Sequence, residues 1–204
     1  MTAEVTNHGI SLANGCTIVS VSSASTRRPF TDIPVTIREF SKGTNDLRPA
    51  YQGQSGLIDF DTRISLPRHV HISTEHCSSG KPVLLHERIY VLGGVALVEL
   101  GGELYVIPPR SLVTIAPGVP HTWTACPAGV EVSCGGENGQ DRERIVAEGK
   151  FLMVYEYEGI TGFFPTSQTE TLKSVEDYVR CDDLDSIRIP ALTADDVRER
   201  CRFI

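Results

Sequence analysis

Short runs in which apolar and polar residues alternate recur along the chain as far as residue 157. Side chains of a strand point alternately to the two faces of a sheet, so this pattern predicts strands with one buried face. Gly101 and Gly102 predict the tight turn of a hairpin, and Pro108 and Pro109 end its second strand because proline has no amide hydrogen to donate. The predicted strands lie within residues 33–40, 56–65, 88–100, 104–107, 112–115, 121–125 and 151–157. Short strands at close spacing with glycine and proline turns predict an all-β sandwich or barrel.

The remaining segments differ in composition. Residues 74–81 and 135–149 are polar and rich in glycine or serine, which predicts exposed loops. Beyond Gly162 the alternation fades, and residues 169–179 and 193–202 have helical composition. Thr193 followed by Asp196 resembles a capping box at the start of a helix. We expect an N-terminal arm over residues 1–32, a barrel over 33–160, and a helical C-terminal extension over 161–204 that packs outside the barrel or against a second subunit.

Composition and charge narrow the class of protein. A chain of 204 residues that is 40% hydrophobic suits one globular domain. The net charge of -7 and the pI of about 5.4 argue against nucleic-acid binding, which needs a basic face. No apolar run approaches the roughly 18 residues that span a bilayer, and the six cysteines are scattered without a CxxC pair. We therefore expect a soluble, cytoplasmic protein with free thiols that binds neither nucleic acid nor a membrane.

Three histidines are the main candidates for chemistry. His69 and His71 are separated by one residue, so on a strand both side chains point to the same side of the sheet. His121 begins another predicted strand. Histidine is the commonest metal ligand in proteins, and three of them could close a metal site. The alternative for an isolated pair is two hydrogen-bonded polar side chains on the wall of a barrel.

The spacing of these histidines resembles that of the cupin superfamily, in particular of its single-domain, RmlC-like members. The first cupin motif, G-x5-H-x-H-x3,4-E-x6-G, is matched at His69, His71, Glu87 and Gly94. The second, G-x5-P-x-G-x2-H-x3-N, is matched at Gly118 and His121. The resemblance covers about residues 56–126, and residues 151–157 fit a later strand of the same barrel.

The chain departs from both cupin motifs in its spacing and at four positions. Fifteen residues separate His71 from Glu87 where the family has three or four, which predicts an insertion in the loop between two strands. Arginines stand at the two leading glycine positions, and alanines replace the proline and the asparagine of the second motif: Arg63, Arg110, Ala116 and Ala125.

The resemblance implies an all-β double-stranded β-helix, that is, a jelly-roll barrel, here with a helical C-terminal tail. It implies a divalent metal, Fe, Mn, Ni or Zn, as cofactor, held by His69, His71, Glu87 and His121. Glu75 is a competing carboxylate because it lies four residues after His71 and fits the motif spacing. We favour Glu87, which leads directly into a predicted strand, whereas polar residues surround Glu75.

Strand parity extends the predicted site beyond the metal ligands. We predict a substrate pocket lined by Arg63, Trp123, Phe151 and Met153. Core packing is the alternative for the three uncharged members of this set. Tyr155 shares a strand face with Phe151 and Met153, and its phenol could exchange a proton beside the metal, as could Glu87.

Cupins with this ligand set include dioxygenases, decarboxylases and isomerases, so the resemblance does not choose the reaction. The apolar pocket favours a small, largely apolar oxygenated substrate, aromatic or polyketide-like, of the kind used in secondary metabolism. We expect a metal-dependent enzyme with dioxygenase chemistry. A non-redox lyase, isomerase or cyclase is the alternative, and a non-catalytic ligand-binding protein is the second. Because cupin barrels often pair through their outer strands, we also expect a homodimer.

Overall fold

A computed structural model describes residues 4–6, 9–21, 23, 25–27, 37–39, 51–74, 81–134 and 143–204. The strands are β1 (Glu4–Thr6), β2 (Gly9–Ser11), β3 (Thr17–Ser20), β4 (Ser25–Arg27), β5 (Ile37–Glu39), β6 (Ser55–Asp61), β7 (His69–Val70), β8 (Glu87–Gly94), β9 (Ala96–Leu100), β10 (Glu103–Ile107), β11 (Ser111–Ile115), β12 (His121–Ala125), β13 (Glu131–Cys134), β14 (Glu143–Val146), β15 (Lys150–Tyr157), β16 (Phe164–Pro165) and β17 (Arg202–Phe203). Within these ranges there is one α-helix, α1 (Ala194–Arg200), and one 3₁₀ turn (Val175–Asp177).

Two sheets face each other and enclose the core. One has the strand order β1-β2-β3-β11-β8-β15-β6, and the other has the order β16-β7-β12-β9-β10-β17. Eight strands, β6 to β12 and β15, pass between the sheets in the order of two interleaved Greek keys. That arrangement is a jelly roll, so the predicted fold class is confirmed.

The inner faces of the two sheets follow from strand alternation. Along β8, Ile89 and Val91 are buried, whereas Arg88 and Tyr90 on the other face are half-buried. Trp123 on β12 faces these residues from the opposite sheet in the same apolar cluster. Burying apolar side chains contributes roughly 25 cal/mol for each Å² removed from water, so this shared face stabilises the pairing of the sheets.

The observed strands differ from the predicted strands and loops in three places. Strands β2 and β3, within the predicted N-terminal arm, extend the larger sheet beside β11. Strand β5 is the described part of the predicted strand over 33–40, and it pairs with β4 outside the two main sheets. Strand β14 occupies residues 143–146 of a predicted loop and pairs with β13. The predicted loop over 74–81 has residues 75–80 outside the described part of the chain, and the loop over 135–149 has residues 135–142 there.

The C-terminal extension packs against the smaller sheet in a largely extended form. The helix predicted over 169–179 is wrong, because this segment contains only the 3₁₀ turn. The extension instead bonds to the barrel through its backbone, both in this segment and after it: the Leu172 amide donates to the Gly118 carbonyl at 2.9 Å, and the Arg68 amide donates to the Ile187 carbonyl at 2.8 Å. These partners offset the hydrogen bonds that a helix would have supplied.

The second predicted helix is present and its cap is confirmed. The Asp196 amide donates to the Thr193 hydroxyl at 3.1 Å, and the Thr193 amide donates to the Asp196 carboxylate at 2.8 Å. This reciprocal pair satisfies two amides at the start of α1. In the described ranges, no helix has the length and apolar character needed to cross a membrane.

Candidate metal centre

The three histidines meet inside the barrel, as their spacing predicts. His69 on β7 lies directly opposite His121 on β12 in the sheet register, and His71 follows two residues after His69 on the same face. All three side chains are buried. One ring nitrogen from each lies within 4.8 Å of those of the other two.

Backbone carbonyls fix the orientation of each ring. The Nδ1 atoms of His69, His71 and His121 lie 2.8, 3.1 and 2.9 Å from the carbonyl oxygens of Pro67, Gly162 and Val119. A carbonyl oxygen only accepts, so Nδ1 must carry the hydrogen in each contact. In a neutral ring, Nε2 then presents a lone pair to the centre. This arrangement is typical of histidines that bind metals.

Glu87 adds a carboxylate oxygen to the three histidine nitrogens as a fourth candidate metal-ligating atom. It begins β8 on the opposite sheet, and its Oε2 lies 2.9 Å from His121 Nε2 and 3.3 Å from His71 Nε2. Burial alone would raise the pKa of Glu87, but the neighbouring His71 and His121 outweigh burial and hold the pKa below its usual value. The carboxylate therefore stays ionised. Glu75, the competing carboxylate, lies outside the described residues.

Burial has the opposite effect on a histidine. The pKa of His69 lies well below its usual value because burial disfavours the cation, and the charges of His121 and His71 add to this effect. His69 is therefore neutral at pH 7 and has its Nε2 lone pair available to a ligand.

The donor atoms of this cluster fit a metal ion. Within the described part of the chain, His69 Nε2, His71 Nε2, His121 Nε2 and Glu87 Oε2 are buried without a hydrogen-bond partner. Converging lone pairs and a carboxylate repel one another unless a cation lies between them. With metal–ligand bonds of about 2.1 Å, adjacent ligands lie about 3.0–3.4 Å apart, close to the two Glu87 distances. The buried histidine triad could therefore bind a metal.

Of the predicted pocket residues, Arg63 is not placed inward. Its side chain is 88% exposed and pairs with Asp61 at 2.5 Å. The amide of Arg63 also donates to the Asp61 carboxylate, so a turn follows β6 and ends the strand parity on which the prediction relied. The inward placement of Arg63 is therefore wrong.

The other three pocket candidates lie in the apolar core. Trp123 and Met153 are buried there, and Phe151 stacks on Phe60 with ring centroids 4.6 Å apart. Phe151 also lines a cavity of about 570 Å³ at the Lys150 end of β15. The histidines lie near the other end of this strand, roughly 20 Å away at about 3.3 Å per residue. This cavity is therefore not the space beside the metal centre.

Tyr157 lies closer to the histidines than the predicted Tyr155. Its ring centroid is 4.4 Å from that of His71, and the Tyr155 ring packs on Tyr157 at 5.0 Å. Burial raises the pKa of Tyr157, and the charge of Glu87 raises it further, so its phenol stays protonated. Tyr157 lies two residues after Tyr155 and so shares its strand face, but only the sheet register shows that it pairs with Glu87.

Phe163 is a contact that sequence reasoning missed. Its ring centroid lies 4.5 Å from that of His69 and 5.9 Å from that of His71. The surrounding sequence has no alternation that would have assigned it to the inner face.

Comparisons with known proteins found solved structures that are similar to this chain at low sequence identity. No protein-family model matches the chain, and no curated protein matches it. A cupin 2 domain-containing protein from Halorhodospira halophila is similar at 18% identity and a TM-score of 0.27, with 50% of each chain covered. NovW, a 4-keto-6-deoxy sugar epimerase of Streptomyces spheroides, shares 12% identity over 98% of this chain and 91% of its own, with a TM-score of 0.46. RemF, a polyketide cyclase of Streptomyces resistomycificus, shares 13% identity over 91% of this chain and 92% of its own, with a TM-score of 0.32. By the order of its own strands, the chain has a jelly-roll fold, an architecture that cupins share with other proteins.

Proposed function

We propose that this protein is a metal-dependent enzyme that acts on a small, largely apolar oxygenated organic molecule, with dioxygenase chemistry. The observation that carries the proposal is the convergence of three carbonyl-oriented histidine Nε2 atoms and the Glu87 carboxylate in a buried site. Such a set would hold a divalent Fe, Mn, Ni or Zn ion. When bound, the ion would polarise a substrate oxygen and, if it is redox-active, support reaction with dioxygen.

The side chains around the histidines favour an uncharged substrate. Among the buried residues that the structure describes, the carboxylic acids, histidines, lysines and arginines are represented by His69, His71, Glu87, Glu99 and His121 alone. Arg68, which pairs with Glu99 at 2.5 Å, is half-buried. An anionic substrate such as a phosphate ester would therefore find no free buried cation among these residues. Apolar walls with a few polar groups are typical of sites for small organic molecules.

The proton chemistry belongs to Glu87 and the two tyrosines. Ionised Glu87 can accept a proton, and the protonated phenol of Tyr157 can donate one or hold a substrate oxygen by a hydrogen bond. Tyr155 packs on Tyr157 and is proposed to support the position of its ring. The same donor and acceptor favour a second candidate function, a non-redox lyase, isomerase or cyclase.

Oxygen dependence separates the two candidates. The protein, loaded with Fe(II), Mn(II) or Ni(II), is incubated with small phenols and enolisable aromatic ketones, in air and under argon. We expect substrate loss matched by oxygen uptake, and neither in His121→Ala. Turnover that persists under argon would instead support the non-redox reaction, and binding without turnover would support a ligand-binding protein.

We also propose that the protein is a homodimer, as the sequence predicts.

A further inference from the structure

Phe163 is half-exposed, with 50% of its side chain accessible, although it contacts two buried histidines. The neighbouring Phe164, in contrast, packs inside the protein. Its ring lies 5.8 Å from that of Tyr178 and packs against the cluster of Val70 and Leu172. Leaving an aromatic ring in water forgoes the stabilisation that burial would give. Phe163 differs from other exposed apolar residues in that its ring contacts two candidate metal ligands, so a molecule bound at the histidines could cover it.

The sheet register places Phe163 on the inner face of the barrel. Phe164 pairs with Val70 and Pro165 pairs with His69. Phe163 therefore falls opposite His71, and residues opposite each other in a sheet point to the same face. Phe163 and His71 therefore project to the same side of the sheet, which agrees with the contact between their rings.

Two other exposed apolar side chains belong to the neighbouring segments, Val83 and Ile160. Ser73 ties these segments together, since its amide donates to the Val83 carbonyl at 2.9 Å and it forms an isolated bridge with Thr161. Exposed apolar side chains therefore lie on the segments next to the histidines, and Phe163 is the aromatic one among these three.

The segment that carries Phe163 is held rigidly. His71 Nδ1 donates to the Gly162 carbonyl, and the Thr161 hydroxyl donates to the Ile72 carbonyl at 2.7 Å. The Gln54 amide group bonds to both the amide and the carbonyl of Thr161, at 3.1 and 3.0 Å. Phe163 therefore acts as a fixed wall rather than a moving flap.

We propose that Phe163 determines the substrate class of the metal centre by stacking on an aromatic ring of the substrate and so presenting an oxygen on that ring to the histidines. This inference rests on the proposed function. Aromatic pairs are stabilised beyond simple area burial in offset-stacked or edge-to-face geometry, which corresponds to an affinity gain of about 2- to 10-fold.

Two chelators with the same metal-binding group test the proposal. Benzohydroxamate carries a phenyl group where acetohydroxamate carries a methyl group. The Kd of acetohydroxamate divided by the Kd of benzohydroxamate, both for the metal-loaded protein, measures aromatic selectivity. We expect the wild type to prefer benzohydroxamate. In Phe163→Leu this ratio should fall about 2- to 10-fold, with the acetohydroxamate Kd and the metal content unchanged. Phe163→Tyr, which keeps the ring, should restore the ratio.

Phe203→Leu is the matched control, because Phe203 is 45% exposed on β17 and takes the same substitution. It should leave the ratio unchanged. A Phe163→Leu protein that binds metal and keeps the wild-type ratio would overturn the role of Phe163 and leave the metal centre standing. A wild type that binds no metal would contradict the proposed function, and this inference with it.

Discussion

At the scale of single residues, Glu87 decides what the histidine cluster can bind. Its carboxylate faces the Nε2 atoms of His71 and His121, and a negative charge at this place attracts a divalent ion. Glu87→Gln keeps the shape but removes the charge. Changes to residues that only support metal ligands typically lower metal affinity about 10- to 100-fold, and loss of a ligand's charge should lower it further. We therefore expect the metal affinity of this variant, measured by competition with a chromophoric chelator, to fall by more than about 100-fold.

Glu75→Gln serves as the control for that measurement and should leave metal affinity unchanged. If the two variants lost affinity equally, Glu87 would not be the carboxylate ligand.

Arg110 stands at one of the glycine positions of the motif that the sequence resembles. Its φ is 60°, in the left-handed region that favours glycine, and its ion pair with Glu143 is exposed and contributes little. We expect Arg110→Gly to stabilise the protein by about 0.5–1 kcal/mol, measured as the free energy of unfolding in urea. Arg110→Ala removes the ion pair but keeps the strained φ, so it should not stabilise. Equal effects of the two substitutions would contradict this explanation.

The residues that could be predicted are those whose role depends on regular alternation. His69, His71 and His121 were recognisable because strand periodicity and a motif spacing agree. Arg63 was misplaced because the turn after β6 interrupts the parity. Phe163 was missed because its place opposite His71 depends on pairing between segments distant in sequence, which no local pattern encodes.

At the scale of elements, the turn before β12 connects the histidine cluster to the C-terminal extension. Gly118 has a φ of 77°, and a Cβ added there would lie 2.3 Å from the Leu172 carbonyl oxygen. The turn and the extension therefore fit together only with glycine. We expect Gly118→Ala to lower the free energy of unfolding by about 2 kcal/mol or more, because strain and a backbone clash add.

Gly129→Ala is a matched control for this substitution. Gly129 has a similar φ of 88°, but no atom lies within 4 Å of its added Cβ. Gly129→Ala should lower the free energy of unfolding by only about 1 kcal/mol, because only the backbone conformation is strained. Equal losses at the two positions would show that contact with Leu172 does not matter.

The C-terminal extension shows why helix propensity alone did not predict its structure. Residues 169–179 have helical composition, yet the barrel supplies backbone partners such as Gly118 and buries Leu172. Tertiary contacts of this kind override local preference. The capping box at Thr193 was predictable because both of its partners are three residues apart in the sequence.

At the scale of the whole molecule, the outer face of the larger sheet carries a row of apolar side chains. Leu57, Val154, Tyr90 and Leu112 lie side by side across β6, β15, β8 and β11. A second copy could bury this row. We expect light scattering at micromolar concentration to give twice the chain mass of 22.3 kDa.

Leu57→Asp should weaken this association, since Leu57 is exposed at the edge of the row. Val179→Asp, which places the same charge at another exposed apolar position, should not. A wild type that stays monomeric would contradict the homodimer, and a dimer indifferent to Leu57→Asp would place the contact elsewhere.

Metal content is the most direct test of the central claim. The protein is purified without chelators, supplied with Fe, Mn, Ni or Zn, desalted, and measured by elemental analysis. We predict about one equivalent of one metal per chain, and almost none in His71→Ala, which removes a buried Nε2 donor. His86→Ala should keep its metal, because the His86 ring pairs with Glu158 at 2.9 Å on the outer side of β8. A wild type without bound metal, or equal metal in the wild type and His71→Ala, would contradict the account.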